Sequence, residues 1–325
     1  MNTSPQTQVT PQFDPAYAGE TNRAVVIGRL DFFSVLLRLI GMELYKIRRR
    51  PMSKVLGIIS ILAVLLFFLV VLFVTLVLVQ RDGSIGASPL LPPVAFYLVN
   101  QVVLVLGQVL IIILLGTLVG GEYGVGTIRL MLTRGPTRAQ FLLAKVGTSL
   151  VCCAIGAVAM IALGILLGLF FNLFTGLPFS FDFFTAAWLG HAVLYVLISI
   201  FSLFVYSMLA LFLATLGRST AAGIAGALTW LLLGETILRT ILDLIGAATG
   251  GATGDFLRAI PDYFIGSNTG ALSQNQNQYL NFFGSSSLSD PSSINDLHAV
   301  LVLVVYLAIF IGLSLWLNQK RDITN

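Results

Sequence analysis

Three ionisable residues, Glu235, Arg239 and Asp243, stand four apart in an otherwise apolar stretch, so a helix would place all three on one face. A charge near the centre of a bilayer costs roughly 2.5 to 3.5 kcal/mol on insertion scales, and such residues therefore pair or face water. Arg239 bridging the two carboxylates would leave the set nearly neutral and turned toward a bundle interior. The alternative is that the helix has left the hydrocarbon by Glu235, making the three an exposed outer ladder. Asn100, Gln101 and Gln108 are the other polar intrusions, and Gln101 and Gln108, seven apart, share a face. They either line a pathway or hydrogen-bond between helices. Other chemistries lack their residues. No stretch reads G-x-x-x-x-G-K-S/T, so no ATPase activity is expected of this chain. H-E-x-x-H is missing too, and His191 and His298 have no acidic or thiolate company, so no metal site is expected. Cys152 and Cys153 are chain neighbours in an apolar run and read as small membrane-helix side chains. No catalytic residue is assigned; an intramembrane hydrolase using Glu235 or Asp243 is the enzymatic alternative.

The elements that must position these residues are membrane spans. Of the 325 residues, 57% are hydrophobic and 10% charged, with a mean hydropathy of +0.95. A soluble chain carries about 25% charged residues, so this one cannot cover a water-facing surface. Its net charge of +4 is too small and scattered for a nucleic-acid binder. A bilayer core takes about 20 apolar residues as helix. Cutting the charge-free stretches at their turn signals predicts six spans, at about Val55 to Val79, Val94 to Val119, Val146 to Phe171, Trp188 to Leu216, Thr220 to Ile245 and Leu297 to Leu317. The expected fold class is all-α and polytopic. With both termini inside, all of the 18 basic residues except Arg81, Arg239 and Arg258 fall on the cytoplasmic side, the bias that sets orientation. No signal peptide is expected, and residues 1–29 read as a disordered cytoplasmic leader. The rest, 30–325, reads as one six-span transmembrane domain.

Two cytoplasmic elements stand out. Between Leu30 and Arg50, apolar Phe33, Leu36, Leu37, Ile40, Leu44 and Ile47 recur at spacings of three and four, with Asp31, Ser34 and Arg38 opposite. Arg48-Arg49-Arg50 then meets Pro51. This pattern predicts an amphipathic helix along the inner leaflet, although the basic cluster could also serve simply as a topology signal. After the second span, Gly120 to Arg138 predicts a loosened helix end, about two turns of helix over Thr127 to Thr133, and a stop at Gly135-Pro136. Thr137 and Gln140 form a capping-box pattern for the third helix. Apolar Ile128, Met131 and Leu132 beside Arg129 and Arg134 suit a docking surface. Gly116, Gly120 and Gly124 repeat at four, which permits close helix approach.

On the outer side an excursion of about 246–296 is expected. Asp255 to Ile265 suggests a short helix on or dipping into the outer leaflet, so that the fifth span is broken instead of straight. From Gly266 to Asp296, 20 of the 31 residues are Gly, Ser, Thr, Asn or Gln, predicting a mobile polar loop with little to pack.

Glu122, then Gly126-Thr127-Ile128-Arg129, Leu132-Thr133, Pro136, Arg138 and Lys145, resemble the loop of permease subunits in the ABC-2 exporter family of ABC transporters. That loop reads E-x-x-x-G-T-I/L-K/R, then L-S/T-x-P-x-x-R and a Lys entering the next span; Gly135 before Pro136 departs from the commoner spacing. The resemblance extends over the layout from about Leu30. It implies that Leu30 to Arg50 is an elbow helix, with Phe33, Leu36, Arg38, Ile40 and Leu44 on it. It implies that Thr127 to Thr133 with Glu122 is a coupling helix docking a separate ABC ATPase subunit, which would carry ATP and Mg while this chain binds no cofactor. Two such subunits, copies or homologues, would enclose one path through the plasma membrane. The function implied is export of an apolar or amphipathic solute, lipid-linked glycan, peptide or drug. A non-transporting membrane scaffold or sensor is the alternative.

Overall fold

A computed structural model describes residues 32–82, 89–124, 137–176, 183–280 and 292–320. The leader 1–29 and the expected coupling helix, with Gly126, Thr127, Ile128, Arg129, Leu132 and Pro136, lie outside the described residues. Every element among those described is helical. Helix α1 is Phe32–Arg49. The first span, α2, is Pro51–Asp82, begun by a proline that suits the first helical position and separates it from α1. The second, α3, joins Pro92–Val102 to Gln108–Gly124 through a π-helical turn, Val103–Gly107. Spans α4, Arg138–Asn172, and α5, Ala186–Gly217, follow. The fifth, α6, joins Thr220–Thr229 to Glu235–Thr249 through a second π-helical turn, Trp230–Gly234. Short helix α7, Gly251–Ala259, a 3₁₀ turn at Ile260–Tyr263 and helix α8, Ile265–Leu280, precede the last span, α9, Asp296–Lys320. Six of these helices are long and apolar enough to cross a membrane, and the chain is an all-α, multi-pass membrane protein.

Helix α5 is the most buried span and α6 the least. The core lies where α3, α5 and α6 meet, with Tyr195, Tyr206, Met208 and Leu211 of α5 fully enclosed. The glycine repeat explains how closely α3 meets α6. A Cβ on Gly120 would lie 2.5 Å from the Cα of Thr220 and 2.6 Å from the carbonyl carbon of Ser219, and one on Gly116 would lie 2.6 Å from Cγ1 of Ile224. Only a residue without a side chain allows that backbone contact. Gly120→Ala should therefore destabilise the protein by about 1–3 kcal/mol, because the opposing atoms are backbone and cannot rotate away. The reading is a lowered midpoint of thermal unfolding. Gly121→Ala, whose Cβ would meet only Cγ2 of Thr220 at 4.0 Å, should leave the midpoint in place. Equal midpoints for both variants would contradict the close crossing.

The predicted capping box is formed: the Gln140 amide donates to Thr137 Oγ1 at 3.2 Å, and the Thr137 amide donates to Gln140 Oε1 at 3.0 Å. Cys152 and Cys153 are free thiols on α4. Two expectations for the outer side need correction. The fifth span is not broken: α6 continues through its π-helical turn to Thr249, and the chain reverses afterwards at Gly250 and Gly251, whose φ values of 59° and 58° suit glycine. Helix α7 then packs back along α6. Nor is the polar stretch after Gly266 loose, because Ile265–Leu280 forms a helix packed on α5 and α9. Its polar side chains find fixed partners. Asn268 Nδ2 donates to the carbonyls of Asp262 at 2.8 Å and Phe264 at 2.7 Å, and Asn275 Nδ2 donates to Asp296 Oδ1 at 2.6 Å. Residues 281–291 lie outside the description.

Candidate functional site: an intramembrane polar cavity

A cavity of about 650 Å³ opens between α3, α6 and α8, and five of the six polar residues singled out in the spans line it: Gln101 and Gln108 from α3, and Glu235, Arg239 and Asp243 from α6. Helix α8 closes the third wall with Gly266, Ser267, Thr269, Gly270, Ser273, Gln274 and Asn277, while Tyr97, Tyr206 and Phe264 add aromatic surface. The volume lies within the range of small-molecule sites. Leu104 and Leu231, one from each π-helical turn, face the same space. Such turns are rare and concentrate at functional sites, since the extra residue re-aims the side chains that follow. In α6 the residue that follows is Glu235.

Glu235 lies near the midpoint of the span Thr220–Thr249. The expected bridge from Arg239 is not made: no ion pair to Arg239 or Asp243 is found among the described residues. Instead Glu235 Oε2 accepts from the Gly266 amide at 2.6 Å and Oε1 accepts from Trp230 Nε1 at 2.8 Å. Each carboxyl oxygen thus has one N–H donor, and the Gly266 amide belongs to the first turn of α8, whose amides have no partner within the helix. Glu235 is thus the N-terminal anchor of α8. Arg239 and Asp243 sit one and two turns further out on the same wall, both exposed.

Gln101 has both of the roles open to it. Its Nε2 donates to Tyr195 Oη at 3.1 Å, and Tyr195 Oη lies 3.0 Å from Ser273 Oγ, tying α3, α5 and α8 together. Asn100 is fully buried behind it, accepting at Oδ1 from Ser199 Oγ at 2.9 Å. Gln108 lines the cavity wall below. The histidines serve the outer packing: His191 stacks on Tyr279 with centroids 4.6 Å apart, and His298 meets Tyr263 edge-on.

The residues expected to form a docking surface divide differently. Glu122 is 4% exposed and faces Lys46 and Lys145. Its Oε2 lies 2.6 Å from Lys145 Nζ and its Oε1 3.4 Å from Lys46 Nζ. Glu43 completes the set, 2.8 Å from Lys46 and 3.6 Å from Lys145. Two acids and two bases from α1, α3 and α4 thereby form a network of balanced formal charge. Arg138 is also engaged within the chain: Nη1 donates to the carbonyls of Asn318 at 3.1 Å and Gln319 at 3.3 Å, joining the start of α4 to the end of α9. On α1, Leu39 and Glu43 are buried against the bundle, Leu36, Ile40 and Leu44 are half-buried, and Phe33, Leu37 and Arg38 are exposed. The apolar face is therefore shared between the bundle and the surroundings. Glu43 and Lys46 are absent from the sequence-based candidates, although an acid between Ile40 and Ile47, inside the apolar stripe, was a visible signal.

Fold and site together define a multi-pass membrane protein with a polar cavity lined in part from the middle of two of its spans. Residues 86–324 match the family described as a protein of unknown function, DUF2705, and the chain belongs to that family. None of the curated proteins matches it.

Proposed function

We propose that this chain is the permease subunit of an ATP-driven exporter of the ABC-2 kind, set in the plasma membrane with both termini cytoplasmic and moving a solute when paired with a separate ABC ATPase. The observation that carries the reading is the polar cavity between α3, α6 and α8, where carboxylate, guanidinium, amide and hydroxyl groups meet at a depth at which each is costly unless it has a partner or water. Arg239 and Asp243 support a second copy or homologue beside the exposed face of α6, because a symmetric neighbour would complete the cavity and place each charge against the other's partner. The ATPase would dock on Thr127 to Thr133 and supply the ATP and Mg. Its movement would shift the paired bundles between two arrangements biased by nucleotide.

The test is co-purification from membranes with an ABC ATPase, followed by hydrolysis assays in nanodiscs. Arg129→Glu should weaken co-purification by at least about tenfold, as loss of an interfacial charge does, while the variant itself folds. Undiminished recovery of the ATPase with Arg129→Glu would overturn the docking assignment, and no nucleotide-binding partner at all would overturn the export reading.

A further inference from the structure

A second, apolar groove of about 320 Å³ runs between α2, α3 and α4 and shares no lining residue with the polar cavity. Its walls include Gly57 and Ser60 of α2, Leu110 and Leu114 of α3, and Gly156 and Ala159 of α4. Gly57 and Gly156 are exposed, and a Cβ on either would meet no atom within 4 Å, so the groove opens outward and the glycines keep it open. Its α2 wall lies in the first three turns after Pro51 and its α3 and α4 walls near the middle of their helices, so the groove reaches from the α1 side of the membrane toward the middle. At that depth the surrounding medium is hydrocarbon. A transmembrane helix, about 10 to 12 Å across, is too wide to enter such a slot, whereas an extended alkyl chain is not.

Basic residues stand at the α1 end of the groove. Lys54 is exposed and follows the lining residue Ser53, one helical turn before Gly57. Arg48 and Arg49, in the last turn of α1, are also exposed. The acids of this region, Glu43 and Glu122, are buried and engaged by Lys46 and Lys145, so they do not offset that charge at the surface. We propose that this groove is a binding site for an anionic glycerophospholipid, holding one acyl chain between Gly57 and Gly156 with the phosphate at Lys54. The proposal does not depend on the export reading, since a scaffold or sensor would hold the same lipid.

Native mass spectrometry of the detergent-purified full chain, supplied with phosphatidylglycerol or with phosphatidylcholine, tests it. The wild-type chain should retain phosphatidylglycerol in preference to phosphatidylcholine. Gly156→Leu, filling the groove, should lower retention about tenfold, the effect of excluding a few buried methylenes. Lys54→Gln should remove the preference while leaving phosphatidylcholine retention as it was. Gly312→Leu, which adds the same bulk to an open position on α9, should change neither. Equal retention by Gly156→Leu and wild type would overturn the site. So would an unchanged headgroup preference in Lys54→Gln, a surface substitution that does not threaten folding. A change of oligomeric state in Gly156→Leu without loss of lipid would assign the groove to a second copy instead.

Discussion

Lys145→Met is expected to destabilise the protein by about 3–5 kcal/mol, the usual effect of removing one member of a buried ion pair. Lys145 is 1% exposed, and its ammonium lies 2.6 Å from Glu122 and 3.6 Å from Glu43. Methionine matches the stem of the side chain and its contact with Phe141, over whose ring the ammonium sits at 4.7 Å, so shape is nearly conserved and charge is what is lost. The two buried carboxylates would then lose one of the two ammonium groups that they face among the described residues. The double variant Lys145→Met with Glu122→Met should recover most of the stability, because it removes one acid with one base and leaves Glu43 paired with Lys46 at 2.8 Å. Thermal unfolding of the purified variants measures the cycle. Single variants as stable as wild type, or a double variant no better than Lys145→Met, would contradict a coupled network.

The position of this network gives it a mechanical consequence. Glu122 closes the span before residues 125–136, and Lys145 lies in the second turn after Arg138, so both ends of the expected docking segment are fastened to Glu43 and Lys46 on α1. In the proposed complex, force applied to that segment by the ATPase would reach α1, α3 and α4 through these four charges. Movement of Glu122 without α1 would part its carboxylate from Lys46, which makes concerted movement the less costly course.

Much of this was readable from residue order, and what was not has a common cause. The six spans are set by long apolar runs, the capping box by Thr137 and Gln140, and the tight α3–α6 crossing by Gly116 and Gly120, all of them local patterns. Gln101, Gln108 and the three charges on α6 were individually conspicuous because polar groups in hydrocarbon are expensive. That they meet in one cavity depends on how the helices pack, which no spacing encodes. Composition misled at α8: Ser, Asn and Gln in the stretch after Gly266 matched a solvated loop, but the same groups form a helix when a neighbouring chain segment satisfies them, as Tyr195 does for Ser273 and Asp296 for Asn275. Glu122 misled in the opposite direction. Its place in a docking motif suggested an outward role, whereas a carboxylate between two lysines from different helices is bound inward.

Glu235→Ala should loosen α8 selectively. The carboxylate is the acceptor for the Gly266 amide and for Trp230 Nε1, and no other acceptor for either group is found among the described residues. An intramolecular hydrogen bond contributes about 0.5–1.5 kcal/mol, and loss of the one from Gly266, which joins α8 to α6, should leave Ile265–Leu280 held mainly by its contacts with α5 and α9. Hydrogen–deuterium exchange should then show faster exchange across residues 265–280, with the amides of α3 and α5 still protected. Glu235→Gln keeps one acceptor oxygen and sets an NH₂ group against the other donor, so its effect should be in the same direction and smaller. Gly266→Ala approaches the same contact from the opposite side, since its Cβ would collide with Glu235 Oε2, and should reproduce the local loosening while the carboxylate remains. Uniform exchange changes over the whole bundle would make Glu235 a general packing residue. Unchanged exchange in residues 265–280 would remove it as the anchor of α8, and with it the argument that the carboxylate at the centre of α6 holds the third wall of the cavity in place.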